Sequence, residues 1–126
     1  MDLSNSAANQ LLDVYDTLFP AGSSLRIRTG AAAGAENADS GTVLSTITTP
    51  ASPWSAAAAG SKSKNGTWVD PAADATGIAG HYRLTGTTTT NIEEGACGTS
   101  GSDMNLDNTS IAVGQPITVS TFTRTL

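Results

Sequence analysis

The 126-residue chain holds one cysteine, Cys97, and one histidine, His81. A single cysteine excludes an intrachain disulfide and a cysteine-rich metal cluster, which leaves Cys97 as a small, part-buried side chain in a strand. A single histidine ties any Ser-His or Cys-His nucleophilic site to His81. Cations are scarce as well: six Lys plus Arg stand against eleven Asp plus Glu, for a net charge of -5. No basic stripe can displace counterions from a phosphate backbone, so nucleic acid is not an expected partner. Long apolar runs are also missing. No window approaches the roughly 18 consecutive apolar residues of a membrane span, so no membrane partner is expected. Met1-Asp2-Leu3-Ser4 opens without the basic and apolar regions of a secretory leader, which predicts a soluble product made in a cytoplasm.

Reaction motifs are equally thin. There is no Walker loop, dinucleotide fingerprint or zinc spacing, and Gly30 to Gly34 lacks the lysine and helix of a phosphate cradle. Gly98-Thr99-Ser100-Gly101-Ser102 does not follow the Gly-x-Ser-x-Gly order of a nucleophile elbow and reads as a turn. Asp103, Asn105 and Asp107 alternate as calcium ligands can, but Asn108 and Gly114 stand where such a loop needs glycine and glutamate. The simpler reading is a strand with its polar side chains in water and Met104 and Leu106 pointing inward. Glu93 and Glu94 are neighbours that point to opposite faces of a strand, unlike the facing pair of a glycosidase, and are expected to be solvated charges. His81 falls on the polar face of its strand and is expected to be exposed. Asn65-Gly66-Thr67 and Asn108-Thr109-Ser110 match the glycosylation triplet, yet turn formation accounts for both asparagines. No catalytic residue, cofactor site or metal set is assigned, and the chain is not expected to be an enzyme.

What the chain has in abundance is Thr and Ser, about a quarter of its residues. The branched Cβ of Thr suits a pleated surface, and the low charge argues against disorder. The helical period occurs once: Leu3, Ala7, Leu11, Tyr15 and Leu18, flanked by Leu12, Val14 and Phe19, predict a helix over about 5–19 that ends at Pro20-Ala21-Gly22. Thereafter the period is two. Leu25 and Ile27 oppose Arg26 and Arg28, and Val43, Ser45 and Ile47 alternate. Trp54 and Thr67-Trp68-Val69 flank Asn65-Gly66, a pair suited to a hairpin turn. In 78–85, Ile78, Tyr82 and Leu84 oppose His81, Arg83 and Thr85. A strand containing Ile92 precedes a tight reversal near 98–102. Met104 and Leu106, then Ile111 and Val113, lead to Ile117, Val119 and Phe122, whose change of phase predicts a bulge. Residues 30–41 and 56–64 read as loops.

About eight short strands at intervals near ten residues predict a mainly β, single-domain β-sandwich, jelly-roll-like, with one N-terminal α-helix. Residues 1–22 form the helical segment, packing on or extending from the domain, and 23–126 form the sandwich. An exposed Trp54 or Trp68 would offer a stacking platform to a carbohydrate, although both rings read more simply as core.

From Trp68 onward the text contains Asp74-Ala75-Thr76-Gly77, His81-Tyr82-Arg83-Leu84, the Gly98-to-Leu106 run, Thr109-Ser110-Ile111, Gly114-Gln115 and Ile117-Thr118-Val119-Ser120-Thr121-Phe122-Thr123. With the N-terminal helix and the Leu25-Arg26-Ile27 strand, this pattern resembles a family of small tailed-phage virion structural proteins. The resemblance covers nearly the whole chain and carries no motif tied to a reaction. It implies a capsid decoration or cement protein on the head surface, made in the host bacterial cytoplasm. The implied partners are the major capsid protein and further copies of the chain, as a homotrimer. A tail, collar or fibre-associated component, or a carbohydrate-binding β module, is the alternative.

Overall fold

Helix α1 spans Asn5–Asp13 and continues after Val14 as one further turn, α2, Tyr15–Leu18, in the computed structural model, which describes residues 1–126. Ser4 caps α1: its backbone is extended and its Oγ accepts from the Ala7 amide at 3.2 Å. The buried face is rotated by one residue from the expected stripe. Ala8, Leu12 and Phe19 are buried and Tyr15 is partly so, whereas Leu11 is 55% exposed and Val14 also faces outward. Both stripes are apolar at helical spacing, so the choice falls to the polar anchors. Asn9 Oδ1 accepts from the Gly60 amide at 2.9 Å, and Asp13 Oδ1 accepts from the Ala57 amide at 3.0 Å and from Lys62 Nζ at 2.7 Å. These bonds set the helix's rotation about its own axis. No helix is long and apolar enough to cross a membrane.

Nine strands follow: β1 Ser24–Thr29, β2 Val43–Thr48, β3 Ser61–Ser63, β4 Val69–Asp70, β5 Gly77–Thr85, β6 Ile92–Gly98, β7 Met104–Leu106, β8 Ser110–Ile111 and β9 Ile117–Thr125. Their order is β2-β1-β5-β6-β7-β9-β3, with β4 also on β9 and β8 on β5. With 40% of residues in strands and 10% in helix, the chain is mainly β, a curled half-barrel that encloses its core as a sandwich-like single domain.

Three bulges tune which side chains face inward. At β5 the register steps from Arg28↔His81 to Thr29↔Ala79, so Gly80 is the extra residue. Parity reverses there. Tyr82 and Leu84 stay inside, but Ala79 takes the inner position and Ile78, expected in the core, is 63% exposed. Only glycine fits, because a Cβ at position 80 would sit 2.1 Å from the Gly30 carbonyl oxygen. A similar step leaves Leu44 unpaired between Ser45 and Val43 and buried. The phase change in β9 is the third: Asn105↔Thr121 is followed by Leu106↔Val119, and Ser120 bulges as expected.

Three other expectations are corrected. Residues 61–63, placed in a loop, pair with β9 as β3 and bury Lys62 between helix and sheet. Asn65-Gly66 makes no hairpin, because the chain on both sides of it pairs with the same strand. From Ser63↔Thr123 to Val69↔Thr118, six steps of one chain face five of the other, and Gly66 at φ 74 absorbs the surplus residue. The segment after Gly98 does not reverse direction. Cys97↔Met104 and Gly98↔Asn105 are parallel pairs, so the chain sidesteps and resumes its course. A contact this short needs no helical crossover, since the loop retraces only its own length.

Every aromatic residue of the chain, two each of Trp, Tyr and Phe, joins one cluster. It runs from Phe19 and Tyr15 through Trp54, Trp68 and Phe122 to Tyr82, with neighbouring centroids 5.3–5.7 Å apart and mostly edge-on. The indole nitrogens are satisfied by backbone, Trp54 Nε1 donating to Phe19 O at 2.9 Å and Trp68 Nε1 to Asn65 O at 3.1 Å. Leu25, Ile27, Leu44, Ile47, Leu84, Met104, Leu106, Ile117 and Val119 pack around the rings.

The seam between β2 and β4 has no backbone ladder. Asp70 spans it: Oδ2 accepts from Ser45 Oγ at 2.8 Å and from the Thr46 amide at 3.2 Å, while Oδ1 accepts from the Ala72 amide at 3.0 Å. The Asp74 amide adds a bond to Leu44 O at 2.8 Å. Replacing a buried, multiply bonded carboxylate with alanine strands its donors, so Asp70→Ala should lower the unfolding free energy by about 2–4 kcal/mol in a urea titration. Asp74→Ala, which removes only an exposed side chain, should change it by less than about 0.5 kcal/mol.

Candidate functional site

Glu93 and Glu94 do project to opposite faces of β6, but neither is a solvated charge. Glu93 points inward. Its Oε2 accepts from Tyr82 Oη at 2.8 Å and its Oε1 from Arg124 Nε at 2.8 Å. Tyr15 Oη also donates to Glu93, and Arg124 Nη2 reaches both Glu93 and Tyr82. The Arg124 guanidinium lies 4.2 Å from the Phe122 ring centroid, which completes a polar knot on the aromatic cluster. Burial, then Glu93, pushes the Tyr15 phenol up to about 12, and the same two causes hold Tyr82 well above the usual tyrosine range. Burial works against the Arg124 cation, but the hydrogen bond and charge of Glu93 outweigh it and raise its pKa. The knot ties the helix, β5, β6 and β9 together.

Glu94 points outward into a second cluster, beneath residues 30–41. Arg83 Nε lies 3.0 Å from Glu94 Oε2 and 2.5 Å from Asp39 Oδ1, and Arg83 Nη2 donates to the carbonyls of Asn37 and Gly34. Arg28 Nη2 meets Asp39 Oδ2 at 2.8 Å, and its Nη1 donates to Ser40 O and Gly41 O. The hydrogen bond to Glu94, reinforced by Asp39 against the cost of burial, raises the Arg83 pKa. Residues 30–41 are a loop as expected, but one pinned to its own sheet.

That loop also overturns the expected exposure of His81. The ring is 1% exposed: Nδ1 is 2.9 Å from Gly30 O, and Nε2 has no partner. His81 does lie on the outer face of β5, but the loop roofs it. Arg28 Nε and Glu94 Oε1, on the same layer, are buried without partners too.

Beside the loop, the outer face of β1 and β5 holds a recess of about 260 Å³, lined by Ser24, Arg26, Asp39, Arg83, Thr85 and Thr89 with Gly22 and Gly86. No hydrophobic residue lines it. A second hollow of about 350 Å³ lies against Pro20, Pro53, Asp16 and the rim of Trp54. Its one charged group, Asp16, is already held by Lys62.

The remaining candidates do not converge. Asp103 Oδ2 accepts from the Ala96 amide, Asn105 bonds to the Ser102 amide and Thr121 Oγ1, and Asp107 Oδ1 accepts from the Thr118 amide. Asp103 braces β6, and Asn105 and Asp107 brace β9 at separate points, while Met104 and Leu106 fill the core. Asn108 Oδ1 accepts from the Ser110 amide in the turn expected of it. Cys97 is part-buried in β6, and burial, then Asp103, pushes its thiol up to about 12. Trp54 and Trp68 are both buried, so neither offers a ring face to a sugar. Sequence reasoning missed the convergence of Arg26, Arg28 and Arg83. Its signal was the Arg-x-Arg alternation of β1, meaningful only once β5 is known to be the neighbour.

Comparison with known proteins finds no matching family model, curated protein or solved structure.

Two measurements probe these clusters. The fold stabilises the neutral Tyr15 phenol, so this contribution is complete below the ordinary value of 10.0 and is lost as pH rises through about 12. Unfolding free energy should therefore fall across that interval, less steeply in Tyr15→Phe. At pH 8 Cys97 should react with a disulfide reagent at least about a hundredfold more slowly in the folded chain than in urea, since the nucleophile is the thiolate.

Proposed function

We propose that the chain is a structural, adhesive virion component, specifically a head decoration protein that seats on the major capsid lattice with sister copies, as a homotrimer, and stiffens the shell. The carrying observation is that the domain spends its polar chemistry on itself. Glu93, Glu94, Arg28, Arg83, Arg124, Lys62 and Asp70 each bind other parts of the chain. His81 lies under a loop, and Cys97 is held as the thiol. Such a domain suits work that demands a durable shape. The phage-protein resemblance of the sequence supplies the setting.

The domain covers its own strand edges, which bears on how it would adhere. Asp70 and the Asp74 amide bind β2, and Ser55 and Ala58 bond to β3. Adhesion therefore falls to side chains. Ile78 and Val113 are large, apolar and exposed on neighbouring segments, the Val113 amide bonding to Thr76 Oγ1. Many weak copies of such a contact add up on a repeating lattice.

Purified protein should be retained by undecorated heads and raise their disruption temperature, while Ile78→Asp with Val113→Asp should weaken retention by about tenfold or more. Retention by tails alone, or absence of the chain from purified mature particles by mass spectrometry, would refute the reading.

A further inference from the structure

The geometry points to a binding site for a carboxylate-bearing polyol, such as one acidic sugar unit, in the recess on the outer face of β1 and β5. Cations are the first argument. Arg26, Arg28 and Arg83 are half of the chain's six Lys and Arg residues, gathered on one sheet face of a protein whose net charge is -5. Arg26 is paired directly across the strands with Arg83, an arrangement that is unfavourable unless a negative charge intervenes. Asp39 and Glu94 intervene for Arg83 and Arg28. Arg26 has no hydrogen bond or ion pair anywhere in the chain, and three guanidiniums against two carboxylates leave one positive charge.

Preorganisation is the second argument. Arg83 is buried, and Nε and Nη2 are fixed by Asp39, Glu94, Gly34 and Asn37, yet Nη1 bonds to nothing and is not sealed from solvent. A fixed guanidinium beside a free one makes a fork for a carboxylate at little ordering cost.

The rest of the lining sets the ligand class. Ser24, Thr85 and Thr89 offer hydroxyls, Asp39 keeps a part-exposed carboxylate, and no hydrophobic residue lines the recess, whose apolar surface comes only from the carbon atoms of these small and polar residues. Asp39 would repel a bare anion but accept a hydroxyl, so the ligand needs donors beside its charge. A single excess positive charge matches a monoanion better than a phosphate dianion. The recess is below the roughly 300–1,000 Å³ of drug-sized sites and suits one small ring.

The inference stands independently of head decoration. Its test is calorimetric titration of the whole protein at low ionic strength with sodium glucuronate, glucose, acetate and glucose 6-phosphate. Saturable millimolar binding of glucuronate is expected, with the other three at least about tenfold weaker. Arg26→Gln, a change at an exposed and unpartnered side chain, should weaken glucuronate by about tenfold or more, and Lys64→Gln should leave it unchanged. The assignment is overturned by no saturable binding, by any other titrant matching glucuronate, by equal affinity in Arg26→Gln, or by an equal loss in Lys64→Gln. Hyaluronan oligosaccharides then separate a polymer-borne unit from a free one: binding per uronate at least as tight as glucuronate assigns the polymer, weaker binding the free acid.

Discussion

One carboxylate closes the domain. The sheet curls until β2 approaches β4, but no run of backbone bonds joins them, and the gap is filled by Asp70 accepting from three donors on two segments. A carboxylate can do this because two oxygens offer several lone pairs, more than a backbone carbonyl has, and charge strengthens each bond. Everything inside depends on that seam. Trp68 precedes β4 directly, and its ring is the middle of the aromatic cluster, so the segment that latches the sheet also delivers its largest core side chain.

The aromatic cluster explains how a chain with only 38% hydrophobic residues sustains a core. Six rings in mutual contact concentrate apolar area where the helix, β3–β4, β5 and β9 meet, and smaller aliphatic residues fill the curl around them. The polar clusters work at its boundaries. The Glu93 knot fastens the helix and the end of β9 on the inner side, and the Arg83 cluster fastens residues 30–41 on the outer side. Buried ion pairs are weak sources of net stability, but an unpaired one is costly, so each cluster specifies a single arrangement of the segments it joins.

The features legible in the sequence are those carried by large apolar residues in a regular period. The helix, the inward Leu25 and Ile27, Tyr82 and Leu84, and the bulge between Val119 and Phe122 all follow from spacing alone. What stayed hidden was carried by residues that leave no trace in such a pattern. Gly80 reverses the parity of β5 without any side chain to announce it. Residues 30–41 bury His81 by backbone, and an Ala-Gly stretch reads as a loop whether or not it roofs something. Lys62 in β3 is buried through partners dozens of residues away, Asp13 and Asp16. The arginine face needed the neighbour relation of β1 and β5, which period-two burial does not encode.

The position of β9 has a consequence for assembly. It pairs with β7 on one side and with β3 and β4 on the other, yet it follows every other strand in the chain. During synthesis the ribosome can release β1, β2, β5 and β6 as a partial sheet, but Trp68, Phe122 and Met104 cannot be enclosed until the last strand emerges. Such long-range closure makes for slow folding, and the half-built chain exposes apolar surface while it waits. The scarcity of long apolar runs, which first set this sequence apart, is then a safeguard for the nascent chain.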